Sequence, residues 1–190
     1  MINDEASLSN KNNNVPINSS GCPNLPIGVA ANILPVLAVG VPSGLNNKEA
    51  FKEAVNKMSE PFLNKGVTKV ICADARGFFF GAGIALRLNA GIVASRKKGK
   101  LPYVGTSVSY DLEYGSNTLE ISPNSINKDD VVLVADDLLA TGGSAKALTE
   151  MVKKAGAKLI GYSFLIELTS LNGRKLLEPV EIYSLITYNN

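Results

Sequence analysis

Apolar runs separated by glycine- and asparagine-bearing turns set the frame of this chain. Val131-Val132-Leu133-Val134-Ala135 is an uninterrupted apolar run rich in valine, and predicts a strand buried on both faces of a parallel sheet. Asp136 and Asp137 are expected to end that strand. A small-residue turn, Ala140-Thr141-Gly142-Gly143-Ser144, follows, and a helix runs from Ser144 to about Ala155, with Gly156 as its stop. Val67 to Ala73 predicts a second buried strand, Asp74-Ala75-Arg76-Gly77 the turn after it, and Phe78 to Leu88 a helix. Further strands are predicted at 91–95, 158–168 and 180–188, with a short helical turn at 173–177. Ala50, Phe51, Ala54, Val55 and Met58 keep helical spacing behind a cap at Asn46 or Asn47, and Pro61 disturbs the end. Strands alternating with helices predict an α/β fold, a mostly parallel central sheet flanked by helices.

The regular pattern fails in two places. Residues 1–20 are dominated by Asn and Ser and predict a disordered polar arm. Pro23, Pro26, Pro35 and Pro42 then exclude a long helix before position 43, so that an extended segment over about 21–45 leads into a single domain, 21–190. Between Arg96 and Tyr114, cations, Gly and Ser predict a long loop or a twisted hairpin, not a core element. The stretch over about 96–118 is the expected lid loop.

Composition narrows the classes of function. The chain has 190 residues, 45% of them apolar, enough for one well-packed domain. A formal net charge of +2 argues against a nucleic-acid binder that depends on a broad basic surface. With no histidine, proton transfer falls to a carboxylate, tyrosine, lysine or water, and a histidine-ligated metal is excluded. Cys22 and Cys72 form no CxxC pair, and Cys72 reads as a small core residue. Neither a signal peptide nor an apolar run of roughly 18 residues is present, so the expectation is a cytoplasmic protein without membrane or nucleic-acid partners.

Candidate chemistry gathers at the end of the 131–135 run. A strand, a flexible turn and a helix N-terminus make an anion site, because the first N–H groups of a helix lack partners. Ala140 to Ser144 would hold a phosphate dianion. Asp136 and Asp137 beside them suit a sugar diol and a hydrated magnesium ion. Arg76, in a turn next to Gly77, can grip a diphosphate with its forked guanidinium, or can be a surface arginine paired with Asp74. Arg96, Lys97, Lys98 and Lys100 are either a solvated cluster or a means of neutralising a polyanionic substrate.

DDLLATGGS at 136–144 resembles the phosphoribosyl-pyrophosphate (PRPP) motif of type I phosphoribosyltransferases, and its lettering is closest to the adenine-specific branch. ARGFFFG at 75–81, RKKGKLP at 96–102, SYDLEYG at 109–115 and ELTSLNGR at 167–174 resemble segments of the same family in the same order. The resemblance implies the type I phosphoribosyltransferase fold, with a small N-terminal hood at about 21–45 and the lid at about 96–118. It implies that adenine and PRPP become AMP and pyrophosphate in purine salvage, with Mg2+ near Asp136 and Asp137 and a homodimer as the working form.

Residue roles follow from the same resemblance. The 5′-phosphate falls to Ala140, Thr141, Gly142, Gly143 and Ser144, and pyrophosphate to Arg76, Lys97, Lys100 and Tyr114. Glu113, with Arg76, is the catalytic candidate, exchanging a proton with the imidazole side of the base. The Asp74–Ala75 peptide is a candidate cis bond. Ala140, where the 6-oxopurine branch carries an acid, favours adenine. Backbone groups of Val29, Ala30 and Ala31 would read the base, although Ala30 or Ala31 stands where the family carries a phenylalanine and Asn32 where it carries an aspartate. Two alternatives remain: transfer to another purine base, and a non-catalytic PRPP or nucleotide sensor.

Overall fold

The computed structural model describes residues 45–112 and 115–189, with only the backbone of 111, 112 and 115. The polar arm and nearly all of the hood segment therefore lie outside the described residues. By its internal contacts the chain divides into two compact units, 1–54 and 55–190. In the first, the Asn47 carboxamide oxygen accepts the N–H groups of Glu49 (3.0 Å) and Ala50 (3.1 Å) and so starts helix α1, Lys48–Ser59. The helix ends in the second unit, where a 3-10 turn with Pro61 takes over at Glu60–Phe62.

The second unit runs β1 (Lys69–Ala73), α2 (Gly77–Arg87), β2 (Gly91–Lys97), β3 (Thr106–Leu112), β4 (Gly115–Ile121), β5 (Val131–Leu139), α3 (Gly143–Lys154), β6 (Lys158–Leu168) and β7 (Ile182–Tyr188). These strands form one sheet in the order β3-β4-β2-β1-β5-β6-β7. Strands β2, β1, β5, β6 and β7 are mutually parallel, whereas β4 is antiparallel to both β2 and β3. Interior position explains the composition of β1 and β5: Val70, Ile71 and Cys72, like Val132 to Ala135, are fully buried. Gly81 lets α2 lie directly on β1, since a Cβ there would fall 2.5 Å from Cys72 Sγ. Ala147, Leu148, Met151 and Val152 turn one face of α3 into the core with Tyr162 and Phe164. Thr149 and Tyr162 share a buried hydrogen bond of 2.7 Å there.

Two expectations need correction. Strand β5 does not end at the two carboxylates but continues past Asp136 and Asp137 to Leu139. The reason is pairing: β6 supplies ladder partners as far as Leu139 opposite Glu167. The stretch after Arg96 is largely strand, and it does enter the core, because Val108, Leu119 and Ile121 are buried there. Its outward residues are polar, with Ser109 and Thr118 hydrogen-bonded across the hairpin at 2.9 Å. Those outward residues hide the period-two alternation of the inward ones.

Candidate active site

Strands β1 and β5 are adjacent and parallel, so the turns after them emerge side by side. Between these turns lies a cavity of about 270 Å³. Ala73 to Arg76 form one wall and Asp136 to Leu138 with Ala140 to Ser144 another, while Lys97, Tyr110, Asn117 and Leu119 close it from β2 and the hairpin. Such a crevice at the carboxyl ends of parallel strands is where open α/β sheets bind ligands.

The Ala140–Ser144 turn delivers the chain into α3. Gly142 has φ +85° and no side chain caps the helix, whose first turn closes with the Lys146 N–H on Gly142 O at 2.9 Å. The opening N–H groups of α3 are thus left for a ligand, and all residues of the turn line the cavity.

Asp136 and Asp137 alternate along β5, yet both line the cavity and both are buried, at 8% and 4% exposure. Asp136 Oδ1 accepts the Asp137 N–H at 2.9 Å and lies over the start of α2, where a Cβ on Gly77 would come within 2.5 Å of it. Burial, reinforced by the Asp137 charge, holds the Asp136 carboxyl well above the usual carboxylate range. Asp137 Oδ2 sits 2.8 Å from Arg76 Nε, an ionic contact without the alignment of a hydrogen bond. A buried carboxylate oxygen left in that state is a ready acceptor for a ligand hydroxyl or a hydrated cation.

Arg76 is therefore not the partner of Asp74. Arg96 takes that place, with Nε 2.9 Å from Asp74 Oδ2 and its guanidinium carbon 5.9 Å from the centre of the Phe78 ring. This hydrogen bond holds Asp74 below the usual carboxylate range. The Asp74–Ala75 peptide is cis, as the family resemblance implies. Within the basic cluster Lys97 lines the cavity, whereas Lys98 and Lys100 are exposed and do not. The turn between Lys97 and Lys100 is closed by the Lys100 N–H on Lys97 O at 3.1 Å. Buried Glu120 accepts the Gly99 N–H at 2.9 Å and braces the same turn.

Glu113, Tyr114, Val29, Ala30 and Ala31 lie outside the described residues. Residues unnoticed in the sequence are Tyr110 and Asn117, a cross-strand pair on the same hairpin face as Val108 and Leu119. Alternation along β3 and β4 was the available signal. Burial, with the Asp136 charge, pushes the Cys72 thiol up to about 12, as suits a core residue without redox chemistry. Among the described residues no three His, Cys, Asp or Glu side chains converge as a metal cage, and no helix is long and apolar enough to cross a membrane.

Residues 43–186 match the phosphoribosyl transferase domain family. The adenine phosphoribosyltransferase of Clostridium kluyveri is 46% identical over 145 residues, covering 76% of this chain and 84% of that protein. The chain belongs to the adenine phosphoribosyltransferase family. Solved members of the family share its fold. The adenine phosphoribosyltransferase of Thermoanaerobacter pseudethanolicus superposes with a TM-score of 0.76 at 38% identity, covering 78% of this chain and 87% of its own. The Saccharomyces cerevisiae enzyme, solved with an imino-altritol bisphosphate and adenine, gives a TM-score of 0.69 at 36% identity, covering 74% and 82%. The mixed, mostly parallel sheet flanked by helices is the architecture of the family.

Proposed function

We propose that this chain transfers the phosphoribosyl group of PRPP to adenine, forming AMP and releasing pyrophosphate. One observation carries the reading. A single cavity brings together an uncapped helix N-terminus, a buried carboxylate pair and an arginine at the neighbouring strand end. These suit, respectively, the 5′-phosphate, the ribose diol and the diphosphate of PRPP. The names and bound adenine of the relatives support the choice of base.

In the reaction the bond from C1′ to the diphosphate oxygen breaks, the diphosphate leaves with the electron pair, and a purine nitrogen bonds to C1′. The Ala140–Ser144 N–H groups fix one end of the substrate, and Asp136 and Asp137 orient the ribose, so that C1′ is held between leaving group and base. Arg76 and Lys97 balance charge on the departing diphosphate, with Lys100 approaching from the turn and Tyr114 covering it. Glu113 exchanges the proton on the imidazole side of the purine, help typically worth ~10² to 10⁴ in rate. Asp136 and Asp137, the under-bonded Asp137 Oδ2 foremost, would hold a hydrated Mg2+ ion. When bound, that ion shields the diphosphate charge. We place the enzyme in the cytoplasm as a homodimer, the apolar residues of 22–45 contributing to the contact.

Replacement of the family's phenylalanine by Ala30 or Ala31 favours a second reading, transfer to another purine. A panel of adenine, hypoxanthine, guanine and xanthine, each with PRPP and Mg2+ and scored by kcat/KM, decides between them. Adenine is expected to lead, and a higher value for any 6-oxopurine overturns that choice.

A further inference from the structure

Gly173 touches the phosphate-binding turn from outside the cavity. It is buried, does not line the cavity, and begins the 3-10 turn Gly173–Leu176. A Cβ on Gly173 would collide with Ala140 O and come within 3.0 Å of both Gly142 N and the Thr141 carbonyl carbon. A Cβ on Gly142 would in turn lie 2.8 Å from Gly173 O. Two glycines thus pack backbone against backbone, and neither place has room for a side chain.

Gly173 is itself anchored. The next residue, Arg174, forks onto Glu167 with Nε to Oε1 at 2.9 Å and Nη2 to Oε2 at 2.5 Å, and its Nη1 donates to Ile182 O at 3.1 Å. Ser184 adds a 2.6 Å bond to Glu167 Oε2. Glu167 is 4% exposed and stands in register opposite Leu139, the last residue of β5 before the turn. The frame therefore closes on itself: β5 leads covalently to Gly142, while β6 reaches the same place through Glu167, Arg174 and Gly173.

We propose that Gly173, held by the Arg174–Glu167 pair, is a positioning residue that keeps the Ala140–Ser144 turn in its anion-binding shape before substrate arrives. The proposal rests on the reading of that turn as the 5′-phosphate site. A turn held by backbone packing on both sides spares the substrate the ordering entropy of shaping it. Sub-ångström displacement of the turn weakens phosphate binding and leaves the base untouched.

The test is steady-state kinetics of Gly173→Ala and Arg174→Lys, with calorimetric titration of ribose 5-phosphate into each. Gly173→Ala is expected to raise KM for PRPP roughly tenfold to a hundredfold. Ribose 5-phosphate affinity should fall by a similar factor, while KM for adenine and kcat at saturating PRPP stay within about twofold. Arg174→Lys, which keeps the charge but loses the fork, shifts KM for PRPP in the same direction by less. An unchanged KM for PRPP, or equal rises in both KM values together with a lowered Tm, overturns the proposal. If Gly173→Ala does not fold, Arg174→Lys decides by the same criteria. Wild-type protein that fails to bind ribose 5-phosphate overturns the reading of the turn itself. Wild-type binding with an unshifted variant overturns the positioning role alone.

Discussion

Arg76 reaches from the end of β1 to Asp137 in β5, Nε 2.8 Å from Oδ2, and so joins the two strand ends that frame the cavity. The partners are unequal. The Arg76 side chain is 55% exposed and that of Asp137 only 6%. A buried carboxylate thus holds a half-solvated guanidinium at the mouth, where an anionic ligand can compete for it. Lysine would keep the charge and lose the fork. Arg76→Lys is expected to lower kcat/KM for PRPP by roughly 10- to 100-fold, equivalent to about 1.4–2.7 kcal/mol of transition-state stabilisation. Steady-state assays with PRPP as the varied substrate check this, and an unaltered kcat/KM would remove Arg76 from the pyrophosphate site.

Gly142 and Gly66 offer a paired measurement. Both have positive φ, +85° and +71°, but a Cβ on Gly66 meets nothing within 4 Å whereas one on Gly142 meets Gly173 O at 2.8 Å. Alanine at Gly66 carries only the left-handed backbone cost, about 1 kcal/mol. Alanine at Gly142 should cost about 1–3 kcal/mol more, the range for overpacking, and raise KM for PRPP as well. Urea unfolding of the two variants measures the difference, and equal losses would mean that the Gly142–Gly173 contact yields freely.

Asp136 sets a pH dependence on the ligand-free protein. Its folded pKa lies above the ordinary 3.8, chiefly through burial and then through the Asp137 charge. Its stabilising contribution is therefore fully present below the unfolded value and is lost as pH rises through the folded one. Glu167 has the opposite sign, since Arg174 lowers its pKa; that contribution exists above the unfolded value and disappears on acidification. Asp136→Asn removes the first effect and keeps the second. The unfolding free energy of the variant relative to wild type should climb with pH between the two Asp136 pKa values, by about 1.4 kcal/mol per pH unit within that window. A difference that stays flat from weakly acidic to neutral pH contradicts the shift.

The Glu113 role is tested by kinetics alone. Glu113→Ala should lower kcat by ~10² to 10⁴ with Tm and KM for PRPP little changed. Wild-type turnover in that variant would remove Glu113 from the catalytic assignment.

What was legible in the sequence is what repeats along the chain. The valine run of β5 and the apolar run of β1 announced a parallel sheet, and Ala140–Ser144 with Arg76 pointed to the edge where the cavity lies. Features that depend on distant segments were not legible. Gly173 carries no side chain, and its close backbone approach to Ala140 and Gly142 joins segments distant in sequence. The pairing of Asp74 with Arg96, and so the release of Arg76 to Asp137, depends on β2 lying beside β1. Tyr110 and Asn117 were hidden because the outward residues of their hairpin are polar, so the stretch reads as loop. The continuation of β5 past its two carboxylates is not visible in the sequence because carboxylates are poor strand formers in general, and only the β6 ladder keeps them extended.

The most direct measurement is the stoichiometry of turnover by the purified protein given adenine, PRPP and Mg2+, with AMP and pyrophosphate both quantified. Equimolar AMP and pyrophosphate are expected, with formation that stops when Mg2+ is chelated and loss of PRPP affinity in Asp137→Asn. Protein that binds PRPP yet makes no AMP would rule out phosphoribosyl transfer and leave a nucleotide-sensing module on the same fold.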